Sequence, residues 1–352
     1  METPARVDEA GAAGGLRALL KRLMRGENLG RAEAAALLDA LLDGAATDAQ
    51  IAAALVALSV KGETVEELTG MAEAMRARAR RVCSTHTRFI DTAGTGSSHA
   101  KTFNVSTAAA FVIAGAGLPV AKHGSRAATS RSGSADVLAA LGVNVSAAPE
   151  TSEDCLNETG ICFMFAPLYH GATARVAGVR RELGVHTSFN LLGPLTNPAG
   201  APRQLIGVWH AALLEPLART LCALGTERAW VVHGSDGLDE VTLAGETLVA
   251  EAHDGDVKSF AISPKDFGLE RSLSLEHLRG GDAHANARTI REVLTCARRD
   301  EARDLIVANA AAALFVGGTA ESLHEAARLA EKSIDGGAAL GKLDLLVEAT
   351  NK

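Results

Sequence analysis

Three short stretches of the chain concentrate groups able to hold phosphate. The first runs Asp91-Thr-Ala-Gly94-Thr95-Gly96-Ser97-Ser98-His99 and continues as Lys101-Thr102-Phe103-Asn104-Val105-Ser106-Thr107. Glycines permit a tight turn in which successive N–H groups face an anion. Hydroxyls at the start of a following helix add free N–H groups at its positive end. The plainer reading is a turn followed by an N-cap. A Rossmann loop fits poorly because His99 stands at the third glycine position, and a Walker loop lacks its Gly-Lys-Ser/Thr. The second stretch, Lys122-His123-Gly124-Ser125-Arg126-Ala127-Ala128-Thr129-Ser130-Arg131-Ser132-Gly133-Ser134, holds three basic side chains, five hydroxyls and two glycines. Two such seats at the ends of neighbouring strands suit a ligand with phosphates at both ends; a solvated polar loop is the alternative.

The third stretch is His233-Gly-Ser-Asp236-Gly-Leu-Asp239-Glu240. Adjacent carboxylates on a loop suit Mg²⁺, which takes one or two of them plus water and phosphate oxygens. The EF-hand spacing is absent, and a solvated turn is the other reading. Arg180, in Arg180-Arg181-Glu182, suits a two-point grip on a carboxylate or a surface pair with Glu182. His170, His186 and His210 show no metal spacing, and only His170 stands near a candidate site. No Ser/His/Asp order stands out. Cys83, Cys155, Cys162, Cys222 and Cys296 form no CxxC pair, which reads as reduced thiols of a cytoplasmic protein.

These loops need strands before them and helices after them. Phe89–Asp91, Leu118–Lys122 and Val143–Val145 read as strands alternating with helices at Ser106–Ala114 and Ser134–Leu141. Ile161–Phe165, Leu205–Val208, Ala229–His233 and Thr247–Ala250 are further strands, and Leu213–Leu224, Ala285–Arg298 and Leu323–Ile334 further helices. Gly193-Pro194, Asn197-Pro198 and Ala201-Pro202 mark an extended crossing segment. The alternation implies an α/β fold with a central, mostly parallel sheet. Ahead of it lie helices at Leu16–Arg25, from Glu33 to Gly44, and after the capping boxes Thr47/Gln50 and Thr64/Glu67. Each is amphipathic and short-looped, so they make a small all-helical bundle. The expected division is a helical domain, 1–82, with a crossing segment near 167–190, and a larger α/β domain formed by 83–166 and 191–352.

Composition narrows the partners. At 352 residues the chain is about two domains long. Its 35 glycines follow no collagen period, and an aromatic content of 3% disfavours base-stacking on single-stranded nucleic acid. A net charge of −7 makes the whole molecule no magnet for nucleic acid or anionic membrane, so an anionic ligand must be held by local donors or a metal. The N-terminus lacks a signal-peptide core, and the apolar run Ala108–Ala121 is too short and too broken to span a bilayer.

With these loops together, the chain resembles the anthranilate phosphoribosyltransferases over nearly its whole length. Lys122–Gly142 (KHGSRAATSRSGSADVLAALG) and Val179–Pro198 (VRRELGVHTSFNLLGPLTNP) carry the likeness, supported by Lys101–Thr107 and Val232–Glu240. The resemblance implies a small helical domain hinged to a larger α/β domain of nucleoside phosphorylase/phosphoribosyltransferase type, a homodimer, and a role in tryptophan biosynthesis. Phosphoribosyl pyrophosphate would be held by Gly94, Ser97, Ser98, Thr102, Asn104, Val105, Ser106 and Thr107. Lys122, His123, Gly124, Ser125, Arg126, Ala127, Ala128, Thr129, Ser130 and Ser134 would complete that grip. Anthranilate would lie against Gly94, Ser125, His170 and Arg180, and Mg²⁺ against Ser106, Asp239 and Glu240. No covalent nucleophile is implied. Two departures touch these loops: Ser97, Ser98 and His99 replace the family's usual Gly-Asp-Gly, and Ser125 stands where Asn is usual. A pyrimidine nucleoside phosphorylase is a related alternative, but its Lys–Ser phosphate loop is absent. A non-catalytic nucleic-acid-binding relative is opposed by the acidity of the chain and by the intact Asp239–Glu240.

Overall fold

The computed structural model describes residues 15–96, 102–127, 132–274 and 276–352. It opens with α1 (Leu16–Leu23), α2 (Arg31–Leu42), α3 (Asp48–Lys61) and α4 (Val65–Arg78). Thr47 and Thr64 cap α3 and α4 by accepting from Gln50 N and Glu67 N, and those side chains reciprocate. Buried Glu67 also accepts from Leu29 N at 2.9 Å and Lys61 Nζ at 2.8 Å, which ties three turns of the bundle together.

The α/β part follows with β1 (Ile90–Asp91), α5 (Val105–Gly115), β2 (Val120–Gly124), α6 (Ser134–Ala140), α7 (Pro149–Asp154) and β3 (Ile161–Phe165). After α8 (Ala166–Tyr169), the chain crosses to the bundle as α9 (Ala174–Leu183) and α10 (Ser188–Leu195). There α9 packs on α2 and α3, and α10 on α3 and α4. Arg175 fastens the crossing by donating to Asp48 Oδ1 at 2.7 Å and Ala46 O at 2.6 Å. The sheet resumes with β4 (Arg203–Gly207), α11 (Leu214–Ala223), β5 (Arg228–Gly234), β6 (Thr247–His253) and β7 (Asp256–Ile262). The last helices are α12 (Ala283–Leu294), α13 (Glu301–Val316), α14 (Leu323–Asp335) and α15 (Ala338–Thr350).

The strand order is β3-β2-β1-β4-β5-β6-β7, parallel through β5 and antiparallel at β6 and β7. Alternate residues serve two cores. On β5, Trp230 and Val232 face one core with α5, α13, α14 and α15, while Ala229 and Val231 face the other with α11 and the bundle. No helix of the described residues is long and apolar enough to cross a membrane.

Two expectations fail. Val143–Val145 forms no strand: Asn144 N donates to Thr350 Oγ1 of α15 and Ser146 N to Asn144 Oδ1, so the backbone is spent on a turn. Gly193 and Pro194 are helical rather than extended. Asn190 Oδ1 accepts from Thr187 N to start α10, and a proline in the last turn loses only one helical hydrogen bond. Two long helices and an edge strand were not anticipated. On α13, Ala308 and Ala310–Ala313 are all fully buried, so no polar face marks its period. α15 buries Ala339, Leu343, Leu346 and Thr350 at helical spacing, and β7 is exposed along most of its length.

Candidate functional site

The chain builds β1, β2 and β3 outward in one direction, then returns to add β4 and β5 on the other side of β1. The crevice beyond the carboxyl ends of β1 and β4 is therefore the point where strand order reverses, the usual ligand site of an open parallel sheet. A cleft of about 550 Å³ opens there. Gly207, at the end of β4, knots its floor. It bridges Gly94, and its carbonyl accepts from Thr95 N at 2.9 Å and Thr95 Oγ1 at 3.1 Å. A Cβ on Gly207 would stand 1.6 Å from Asp239 O. The glycine loop and the Asp239–Glu240 turn thus meet across a residue with no side chain.

The charged groups lie on this floor. Lys122 Nζ donates to Thr92 O at 2.8 Å and Thr92 Oγ1 at 3.3 Å, and lies 3.5 Å from Ser106 Oγ. Burial pushes its ammonium down to about 8, against the attraction of Asp91 and Glu240. Burial likewise raises the Asp91 carboxyl to about 6, although Asn197 Nδ2 donates to it at 2.7 Å and His123 N at 3.1 Å. Glu240 accepts from Ser106 N and from Thr102 Oγ1, each at 3.1 Å. Burial, then the neighbouring Asp239, raises its carboxyl to about 8.

Two adjacent carboxylates, one resisting ionisation, beside the hydroxyls of Ser106 and Thr102 form a hard-oxygen donor set that fits Mg²⁺. Among the described residues no group of three or more His, Cys, Asp or Glu forms a metal cage. Substrate oxygens and water must therefore complete any coordination shell. Asn309, on α13, supports this turn from behind: its Oδ1 accepts from Val241 N and its Nδ2 donates to Val241 O, each at 2.9 Å.

The second loop is folded by Asp136 at the start of α6. Its carboxylate accepts from Ala127 N and Gly133 N at 3.0 Å and from Arg126 Nη1 at 2.9 Å. Arg126 is thereby engaged, with its guanidinium 5.7 Å from the Phe165 ring. Gly133 is required sterically, since a Cβ there would stand 2.4 Å from Ala127 N.

The other end of the cleft faces the bundle. The His123 and His170 rings lie 5.1 Å apart. His123 Nδ1 donates to Gly193 O at 3.2 Å, while His123 Nε2 and both His170 nitrogens are buried without a partner among the described residues. Burial lowers His123 to about 3 and His170 to about 4, so both are neutral at pH 7. Arg180, on α9, lies 5.0 Å over the Phe189 ring and, among the described residues, makes no ion pair with Glu182. Burial lowers the pKa of its guanidinium.

Gly94, Thr102, Asn104, Ser106, Thr107, Lys122, His123, Gly124, Ser125, Arg126, Ala127, Ser134, His170, Arg180, Asp239 and Glu240 all line this one cleft. Val105 does not: its side chain is in the core under α5. Ser97, Ser98, Ala128, Thr129 and Ser130 lie outside the described residues. Sequence reasoning missed Gly207, Asn309 and the segment Gly280, Gly281 and Asn286, which also line the cleft. A Gly-Gly-Asp run before a helix, and a buried Asn inside an apolar one, were the available signals.

A family model described as the helical bundle domain of a glycosyl transferase family matches residues 17–79, and one for its a/b domain matches residues 86–340. An anthranilate phosphoribosyltransferase of Moorella thermoacetica is 51% identical over 94% of this chain and 97% of its own. One of Anaeromyxobacter dehalogenans strain 2CP-C is 54% identical over 94% and 97%. The chain belongs to the anthranilate phosphoribosyltransferase family. The anthranilate phosphoribosyltransferase of Thermus thermophilus superposes with a TM-score of 0.89 at 40% identity, covering 95% of this chain and 99% of that one. The Saccharomyces cerevisiae enzyme, solved with phosphoribosyl pyrophosphate and Mg, gives 0.87 at 28% identity, covering 96% and 98%. For an anthranilate phosphoribosyltransferase the cleft has a coherent polarity, with oxygen donors and Lys122 at one end and neutral imidazoles with one guanidinium at the other.

Proposed function

We propose that the chain transfers the 5-phosphoribosyl group of phosphoribosyl pyrophosphate to the amino nitrogen of anthranilate, releasing pyrophosphate in a Mg²⁺-dependent step of tryptophan biosynthesis. Family membership supports the reaction. The observation that carries its assignment to this cleft is the meeting of both phosphate-type loops and the Asp239–Glu240 turn at one strand-order reversal. Gly94, Thr102, Asn104, Ser106 and Thr107 hold the phosphates on one side, and Lys122 with the Gly124–Ala127 backbone and Ser134 on the other. Asp239, Glu240 and Ser106 hold Mg²⁺, which supplies charge neutralisation at the departing pyrophosphate. Lys122 adds a fixed positive charge in a site of low dielectric. The acceptor is an aryl amine, already nucleophilic, so no side chain needs to form a bond to the sugar. Arg180 faces the anthranilate carboxylate, and the neutral His123 and His170 line the ring pocket beside Gly94 and Ser125. What remains is alignment of the amine with ribose C1, which the bundle, residues 1–82 with the crossing segment 167–190, provides by moving against the α/β domain, 83–166 and 191–352. A homodimer acting in the cytoplasm is part of this proposal, and the five free thiols agree with that compartment.

The test follows anthranilate fluorescence in the presence of phosphoribosyl pyrophosphate and Mg²⁺. Fluorescence falls as anthranilate is consumed, and its persistence with folded protein refutes the acceptor. Asp239→Ala and Glu240→Ala together are expected to raise the Mg²⁺ concentration needed for half-maximal rate by about tenfold or more. An unchanged Mg²⁺ dependence removes these carboxylates from the metal site.

A further inference from the structure

Asn104 precedes α5 at φ 64° and ψ 51°, the left-handed region. Among the described residues only Asp254 and Cys296 share a positive φ without being glycine. Asn104 is the one of the three that lines the cleft. Two carboxamides explain how it is held. Asn104 Oδ1 accepts from Asn286 Nδ2 at 2.8 Å, and Asn104 Nδ2 donates to Ser132 O at 3.3 Å. Asn286, only 3% exposed on α12, accepts from Gly281 N at 2.8 Å through its own Oδ1. The direction of this relay is settled at both ends, because a backbone N–H can only donate and a carbonyl can only accept. Each amide must therefore accept with oxygen and donate with nitrogen, which no carboxylate or hydrocarbon side chain reproduces. The same segment touches the first loop a second time. Thr102 bridges Arg279, and a Cβ on Gly280 would stand 2.3 Å from Thr102 O.

We propose that Asn286 is a positioning residue: it locks Asn104 in its left-handed conformation and thereby keeps the two phosphate loops in register. Asn104 begins the helix whose first turn faces the ligand, and Ser132 belongs to the second loop, so one relay spans both seats from a third segment. Asn286 itself need not touch the substrate. The inference rests on the reading of this cleft as the phosphoribosyl pyrophosphate site.

A double-mutant cycle of Asn286→Ala and Asn104→Gly tests it, read in KM and kcat and in the calorimetric Kd for phosphoribosyl pyrophosphate. Glycine takes a positive φ unaided and has no carboxamide to hold. Asn286→Ala alone is expected to raise KM and Kd by about tenfold with kcat nearly unchanged, whereas in the Asn104→Gly background it adds less than about threefold. Equal factors in both backgrounds, or no effect in the parent, overturn the proposal. Asn286→Leu, which keeps the branching of the side chain and removes both hydrogen bonds, serves if the alanine variant does not fold, with the same expectations. A parent protein that binds phosphoribosyl pyrophosphate without consuming anthranilate refutes the acceptor, and the coupling is still decided from Kd.

Discussion

Burial governs the titrating groups of the cleft more than their partners do. Desolvation lowers the Lys122 ammonium to about 8, and Asp91, then Glu240, offset part of that cost. The imidazoles have no carboxylate to offset theirs, and a backbone carbonyl apiece, that of Gly193 for His123 and of Thr196 for His170, compensates only in part. His123 and His170 fall from an ordinary value of 6.5 to about 3 and about 4, with desolvation the largest cause. In the unfolded chain both take up a proton below pH 6.5; in the folded chain they do so only well below that. Folding stability from this pair is therefore complete above pH 6.5 and declines as pH falls, by about 1.4 kcal/mol per pH unit for each ring. Urea unfolding of the parent and of a His123→Gln/His170→Gln variant, compared from pH 7.5 to about 4.5, measures it. The variant is expected to show a flatter pH dependence, and parallel curves exclude the pair as its source.

At the level of elements, the site is a crossing of loops rather than a property of any one. β4 runs past the end of β1 to Gly207, which bridges Gly94 of the loop and lets the Asp239 carbonyl pass at a distance no side chain tolerates. Gly207→Ala forces the strand end and the turn apart. It is expected to cost about 1–3 kcal/mol in unfolding free energy. It should also weaken Mg²⁺-dependent turnover by more than that stability loss explains; full activity with a lowered Tm would show that the turn tolerates displacement. The helices behind are fitted in the same way. A Cβ on Gly115 of α5 would stand 2.7 Å from Ala339 N of α15, and the buried alanines of α13 allow similar closeness. The scarcity of aromatic residues follows: helices packed this closely leave room for small side chains.

For the whole molecule, the bundle is part of the sheet's covering as well as one wall of the cleft. Leu55, Leu68 and Met71 share a core with Ile206, Val231 and Ala250 of the sheet. Deleting residues 1–79 exposes that face, together with the bundle-facing side of α9 and α10. The truncated chain is expected to bind a hydrophobic dye and to form assemblies larger than a dimer in light scattering, where the full chain does neither. A monodisperse, dye-free truncation product would show that the α/β part folds independently. The net charge of −7 is compatible with a polyanionic substrate, because Lys122, Arg180 and backbone N–H groups supply positive potential locally.

Much was legible from local chemistry. The capping boxes at Thr47 and Thr64, the glycine-rich loop after β1, the Lys122–Ser134 loop and the adjacent Asp239 and Glu240 are short-range patterns, and each is set by backbone freedom, hydroxyls or charge within a few residues. They were sufficient for the α/β class and the helical bundle and for proposing the loops as polyanion seats, and resemblance supplied the substrates. Val143–Val145 misled because three apolar-flanked residues do not say whether their N–H groups will meet a strand or, as here, Thr350. The roles of Asn286, Asn309 and Gly207 are not local for a related reason: each acts through a partner far along the chain, Asn104, Val241 and Asp239. Sequence alone determined which residues are able to hold phosphate and metal. Only the tertiary structure decided that they share one cleft, because strand order and side-chain reach across it depend on packing between distant segments.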